Sequence, residues 1–213
     1  MSDSVKKITL PLSEDALNSL TAGDRILLSG EIYTLRDAGH KRLTLSIKAG
    51  KPDWDTSGKA IYYCGPTPAA VGEIIGSCGP PTSARMDDYA PFLIEKGLKV
   101  MIGKGKRNEK VVEAMKTYGA VYLIAVGGAG ALYKACVTKN EPVLYEDLGC
   151  EAMRKLTVKD MPLMVGIDRK GNSVRPGGAA HMDCLKNPAD FFAGRSDCLP
   201  GPRRQLGLFP GVG

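Results

Sequence analysis

The sequence predicts an α/β fold with some parallel strand pairing. Across residues 98–172, apolar strand-like runs alternate with helical periodicities, and glycines punctuate them. No internal repeat is found, so a solenoid or propeller is not indicated.

The elements follow in order. "ITLPLSEDALNSLT" (8–21) reads as a short strand and then a helix capped by Ser13, with Glu14 and Asp15 in its first turn; Gly23 is expected to end it. "RILLSGEIYTLR" (25–36) reads as a buried strand bent at Ser29-Gly30. "RDAGHKRLTLSIKAG" (36–50) reads as a loop or helix start and then a helix. "KAIYYCGP" (59–66) is a strand stopped by Gly65-Pro66. "MDDYAPFLIEKG" (86–97) is a helix ended by Gly97, with Pro91 in its first turns. "LKVMIGKG" (98–105) is a buried strand entering a Gly-Lys-Gly turn. "NEKVVEAMKTYG" (108–119) places Val111, Val112, Met115 and Tyr118 at helical spacing. "AVYLIAVGG" (120–128) is a strand running into glycines, and "GALYKACVTK" (130–139) a short helix. "EPVLYEDLG" (141–149) and "MPLMVGIDRKGN" (161–172) supply further strands. Beyond Asn172 the chain is dense in Gly and Pro and loses periodicity. The expected organisation is a domain over 1–175 and a tail over 176–213, poorly ordered or wrapped on a partner through Phe191-Phe192 and Phe209.

Composition narrows the function classes. The 213 residues carry 43% hydrophobic and 24% charged side chains, an ordinary globular balance. No apolar run reaches the roughly 18 residues of a membrane span, and no signal-peptide core follows Met1–Lys7, so a cytoplasmic protein is expected. The net charge of +6 fits an anionic small molecule or an acidic partner. Basic residues do not interleave with aromatics, and Trp54 is the one Trp, which disfavours nucleic acid. Six cysteines at 64, 78, 136, 150, 184 and 198 lack zinc-ribbon or ferredoxin spacing and read as reduced, buried thiols.

Four loops concentrate polar groups where strands end: "TLRDAGHKR" (34–42), "CGPTPA" (64–69), "GSCGPPTSARMDDY" (76–89) and "IGKGKR" (102–107). Glycine in each lets backbone approach a ligand, and Arg36, Arg85 and Lys104 supply cations. Together they suit a small anion with more than one carboxylate, which an arginine fork binds bidentately. Each also has a plainer role: a surface Arg36–Asp37 ion pair, a solvated turn at Lys104 and Lys106, an N-cap at Thr82. "VGGAGALYK" (126–134) lacks G-x-G-x-x-G spacing and reads as close packing of a helix on the sheet. His40 is expected to cap or to lie at the surface.

The ordered motifs go further. "LSGEIYTLRDAGHKR", "IYYCGPTPA", "GSCGPPTSARMDDY", "MIGKGKRNEKVVEAMKTYGAVYLIAVGGAGAL" and "YEDLGCEAMRKLTVKDMPLMVGIDRKGN" resemble the C-terminal region, or separate β subunit, of class I iron–sulfur fumarate hydratases, a family that includes L-tartrate dehydratase. The resemblance spans about residues 8–175. It implies a swivelling β/β/α domain and an active site shared with a partner region that holds a [4Fe–4S] cluster on three cysteines. The chain then resembles the β subunit of a two-chain hydro-lyase, with an Fe–S α subunit as partner and no metal ligand of its own. The implied reaction interconverts fumarate and L-malate, a step of the tricarboxylic acid cycle, with tartrate or a methylated dicarboxylate as alternative substrate. Iron in the partner would act as Lewis acid on the substrate hydroxyl.

By the same resemblance, Arg36, Arg85 and Lys104 bind substrate carboxylates. The family's loop reads Gly-Pro-Thr-Thr-x-x-Arg-Met, with its first Thr implicated as base. Here Gly79-Pro80-Pro81-Thr82-Ser83-Ala84-Arg85-Met86 puts proline in that place. Thr82 or Ser83 is expected to replace it, with Arg85 alongside; otherwise the chain is a non-catalytic binding or assembly subunit.

Overall fold

The computed structural model describes residues 5–126 and 128–174. The tail expected over 176–213, with Cys184, Cys198, Phe191-Phe192 and Phe209, lies outside the described residues.

Strands β1 (Lys6–Thr9), β2 (Arg25–Thr34), β3 (Ala60–Tyr62), β4 (Val100–Gly103), β5 (Val121–Ile124), β6 (Val137–Leu144) and β7 (Met153–Ile167) form one sheet in the order β1-β2-β3-β4-β5-β7-β6. A further antiparallel pairing of β2 with β7 closes the five strands β2, β3, β4, β5 and β7 on themselves as a small mixed barrel. β2 through β5 run parallel; β7 is antiparallel to β2, β5 and β6. Helices α1 (Glu14–Ser19), α2 (Asp37–Lys48), α3 (Ala90–Glu95), α4 (Glu109–Tyr118) and α5 (Gly130–Ala135) connect them.

The near-continuous apolar runs of β3, β4 and β5 are explained by burial on both faces. Ala60, Tyr62, Val100, Ile102, Val121 and Leu123 point into the barrel, with Ile26, Leu28, Leu156 and Leu163. Their neighbours Ile61, Tyr63, Met101 and Tyr122 point outward, under Leu43, Leu93, Val111 and Met115 of the helices.

Most elements match the sequence expectations. Ser13 caps α1 through its side chain, and α4 has Asn108 as N-cap and left-handed Gly119 after its last residue. β2 carries an irregularity between Leu28 and Gly30, where the bend was expected. Several boundaries are corrected. α1 ends at Ser19, before Gly23. The helix expected from 86 begins at Ala90, because Pro91 fits only its first turn and a short 3₁₀ helix, Ser83–Met86, precedes it. α5 stops at Ala135; β-branched Val137 and Thr138 instead open β6, paired with β7. β7 begins at Met153, eight residues before the strand that the sequence pattern showed.

Candidate functional site

Parallel β2, β3, β4 and β5 deliver their carboxyl ends to one edge of the barrel, where α/β folds place their ligands. Leu35 N–H donates to Tyr62 O at 3.1 Å, Tyr63 N–H to Ile102 O at 2.8 Å and Ala125 N–H to Gly103 O at 2.7 Å, so the ladder continues past the strand ends into the loops. Arg36 follows β2, Cys64-Gly65 follow β3, Lys104 follows β4 and the glycine turn follows β5. Loop 64–69 is tied to loop 76–89: Thr67 N–H donates to Ser77 O at 3.1 Å and Ser77 N–H to Thr67 Oγ1 at 2.8 Å. The turn before α5 packs on the same loop, with Cys78 N–H donating to Gly130 O at 3.1 Å, so the close contact of Gly130 is with loop 76–89, where packing of a helix on the sheet was expected.

Arg36 and Arg85 come together at one carboxylate. Arg36 precedes α2 in extended conformation; its Nη2 lies 3.3 Å from Glu151 Oε1 and 3.9 Å from Asp37 Oδ2. The same Asp37 oxygen accepts from Arg85 Nη2. Gly65 makes room for this arrangement, since a Cβ there would sit 2.9 Å from Arg36 Cδ and from Cys150 O. Asp37 Oδ1 and Arg36 Nε are buried without a hydrogen-bond partner. Arg36 is thus mostly enclosed, whereas the Arg85 side chain is 53% exposed and keeps donors free of Asp37.

Thr82 and Lys104 form the second group. They pair as an isolated parallel bridge, with Ser83 N–H donating to Lys104 O at 2.9 Å. Thr82 occupies the N-cap position of the 3₁₀ helix but makes no side-chain cap bond, and it is exposed. Ser83 differs completely. It is fully buried, with Oγ 2.9 Å from Tyr122 Oη. Gly103 permits this, because a Cβ there would collide with Ser83 Oγ. Thr82, Lys104, Lys106, Tyr122, Val112 and Ile124 are among the residues lining a cavity of about 580 Å³. The 82–85 turn therefore links both groups: Thr82 lies beside Lys104 at one end, and Arg85 meets Arg36 across Asp37 at the other.

Beneath these loops lies a polar layer that sequence reasoning missed. Arg107 Nε donates to Asp87 Oδ1 at 2.6 Å, with side chains 0% and 6% exposed. Arg107 Nη1 donates to Tyr63 Oη at 3.2 Å, and its guanidinium stacks over the Tyr63 and Tyr122 rings at 5.2 and 5.1 Å. Tyr122 Oη donates to Gly105 O at 3.1 Å, and burial raises its pKa, so it stays protonated. His40 is also fully buried, edge-on to Tyr63, which corrects the surface or capping role expected for it. Its Nδ1 lies 2.9 Å from Arg36 O, and its pKa is pushed down to about 4, chiefly by burial and also by the Arg107 charge. The available signals were an acid following Arg-Met and an arginine closing the glycine turn.

Among the described residues, no group of three His, Cys, Asp or Glu could hold a metal. Cys64, Cys78 and Cys136 are buried and Cys150 is exposed; among the described residues none of the four forms a disulfide. The described residues therefore offer no cradle for an iron–sulfur cluster. No described helix is long and apolar enough to cross a membrane.

The family model for the fumarase C-terminus matches residues 1–176. The chain is 37% identical over 160 residues to the anaerobic class I fumarate hydratase of Escherichia coli, covering 73% of this chain and 29% of that protein. It is 33% identical over 161 residues to fumarate hydratase 2 of Leishmania major, covering 74% and 28%. It is 34% identical over 170 residues to a Methanocaldococcus jannaschii protein provisionally named L(+)-tartrate dehydratase subunit beta, covering 76% of this chain and 87% of that one. The chain spans about three-tenths of the length of the fumarate hydratases it matches. With the closed mixed barrel and its loop-rich edge, these matches place the chain in the fumarase C-terminal family, homologous to class I fumarate hydratases.

Proposed function

We propose that this chain is the β subunit of an iron–sulfur hydro-lyase that interconverts fumarate and L-malate together with an α subunit that carries the [4Fe–4S] cluster. The observation that carries the reading is the convergence of Arg36 and Arg85 on one carboxylate, with Lys104 paired to Thr82 along the same turn. A C4 diacid presents two carboxylates. Removing the C–H proton beside one of them makes that carboxylate a dianionic aci-form. Cations fixed beforehand around it stabilise the transition state more than the ground state. Asp37 holds Arg85 and Glu151 is the nearer anchor of Arg36, an arrangement that leaves the exposed donors of Arg85 for substrate.

Thr82 is the hydroxyl for proton transfer at the position next to the family's lost threonine. It is exposed, free of any cap bond, and its turn is bridged to that of Lys104, whose charge favours an alkoxide. Ser83 is not assigned this step, because its hydroxyl is buried and committed to Tyr122. In the enzyme assembled with its α subunit, Thr82→Ala is expected to lower kcat for malate dehydration by about 10²–10⁴-fold. Full activity in that variant removes the assignment.

A second substrate is favoured by one specific match. The tartrate-dehydratase-named relative is covered over 87% of its length. Anaerobic assay of the reconstituted pair with fumarate, L-malate and L-tartrate separates the two; turnover of none of them supports a binding or assembly subunit inactivated at Pro81.

A further inference from the structure

We propose that Ser83, Tyr122, Arg107 and Asp87 form a positioning web that fixes the spacing between the Thr82 turn and the Lys104 turn; this rests on reading those turns as the diacid site. Neither turn is held by regular structure. One precedes a four-residue 3₁₀ helix, and the other leaves β4 through Lys104 and Gly105. Beside the backbone bridge, one phenol oxygen joins them directly. Tyr122 Oη donates its hydrogen to Gly105 O at 3.1 Å. The Ser83 hydroxyl, 2.9 Å from that same oxygen, is then the donor to it. The phenol therefore accepts from the turn of Thr82 and donates to the turn of Lys104. Tyrosine is suited to this, since its hydroxyl rides on a rigid ring with two side-chain torsions.

The ion pair closes the web from below. Asp87, just past the 3₁₀ helix, accepts from Arg107 Nε at 2.6 Å through one oxygen and from Asn108 N–H at 2.7 Å through the other. Both carboxylate oxygens thus grip the far end of the Lys104 turn. Arg107 in turn lies between the rings of Tyr63 and Tyr122, so its charge holds the phenol in place. Stability alone does not account for this construction. Replacing a fully buried ion pair by packed apolar side chains is often neutral or stabilising. Its value is that charge-assisted bonds fix direction as well as distance.

Tyr122→Phe keeps the ring and its stack on Arg107 and removes both hydrogen bonds. In the enzyme assembled with its α subunit, kcat/KM is expected to fall about 30-fold. In a Lys104→Ala background the same change should cost under 3-fold, because a residue acting through Lys104 has nothing left to position. Equal fold-losses in both backgrounds would overturn the proposal, since a residue that only supports the fold multiplies its effect. A second readout needs no partner. In the full chain alone, amide exchange of 82–85 and 104–107 should accelerate together at least tenfold in Tyr122→Phe and in Ser83→Ala, with β3, β4 and β5 unchanged. Unchanged exchange in both turns overturns the web even where the diacid reading stands. Accelerated exchange without turnover of any diacid upholds the web and rejects the reading.

Discussion

The two faces of β3, β4 and β5 are built from the same alternating strands and do different work. The inward face is hydrocarbon: Ile26, Leu28, Val100, Ile102, Val121 and Leu123 fill the barrel. The Tyr62 hydroxyl on this face donates to Cys78 O at the barrel's end. The outward face turns polar toward the loops, where Tyr63 and Tyr122 present hydroxyls to Arg107, Ser83 and Gly105. Apolar packing is non-directional, so the interior stabilises without fixing any single loop. Hydrogen bonds fix direction but add little net stability. The difference teaches that stability and site geometry are separable here, and substitutions on the two faces should separate them.

The largest effect belongs to the site. Arg85→Ala should reduce turnover of the assembled enzyme by about 10³-fold or more, as loss of a preorganised cation does. Its thermal midpoint should stay unchanged, because the side chain is 53% exposed. A comparable drop in stability would show that Arg85 supports the fold instead. The opposite signature is expected inside the barrel. Leu28→Ala, at a fully buried position, should cost roughly 4 kcal/mol in denaturant unfolding. Turnover per folded molecule should remain within twofold of the parent. A large kinetic defect in that variant would erase the distinction between the faces.

The sequence revealed these regions unequally, for physical reasons. β2 to β5 and α4 are legible because periodicity and caps are local signals: Asn108 before α4, Gly119 after it, unbroken apolar runs in the strands. The first half of β7 was hidden because Arg154 and Lys155 separate Met153 from Leu156 and spoil the alternation, in a stretch where pairing with β6 is irregular. Closure of the barrel by β2 and β7 is a long-range pairing with no local mark. In the site, Arg36, Arg85 and Lys104 were legible as cations in glycine-rich loops, while their roles came from family resemblance. The Asp87–Arg107 pair was legible only as two loop charges, an acid after Arg-Met and an arginine closing the glycine turn; nothing local marks that they are buried together. His40, expected to cap or to lie at the surface, is turned inward with Leu43 and Thr44 by helical spacing.

His40 gives the next effect in size. The folded ring remains neutral down to about pH 4, whereas an unfolded histidine protonates near 6.5. Its contribution is therefore complete above pH 6.5 and is lost as pH falls from 6.5 toward 4, by roughly 3 kcal/mol if the whole shift is expressed. The buried Nε2, with no hydrogen-bond partner, has nowhere to place a second proton. Urea midpoints at pH 7.5 and 4.5 should differ more for the parent than for His40→Leu, which removes this titration and leaves the carboxylates. Equal differences would mean that the ring is protonated or solvated in the fold.

The smallest effect tests how sharply the polar layer ends. Asn108 adjoins Arg107, and its backbone N–H donates to Asp87, but its side chain faces the other way, with Oδ1 accepting from Val111 N–H at 2.9 Å as the cap of α4. Asn108→Ala removes only the cap, since the backbone donor to Asp87 survives. It should cost about 1 kcal/mol of stability. Turnover should not change, and neither should amide exchange at 82–85. If the site loosens with the cap, the web extends into the helix and positioning is shared by the whole outer layer. If only α4 frays, the boundary between stability and geometry runs between two adjacent residues, Arg107 on one side and the Asn108 side chain on the other.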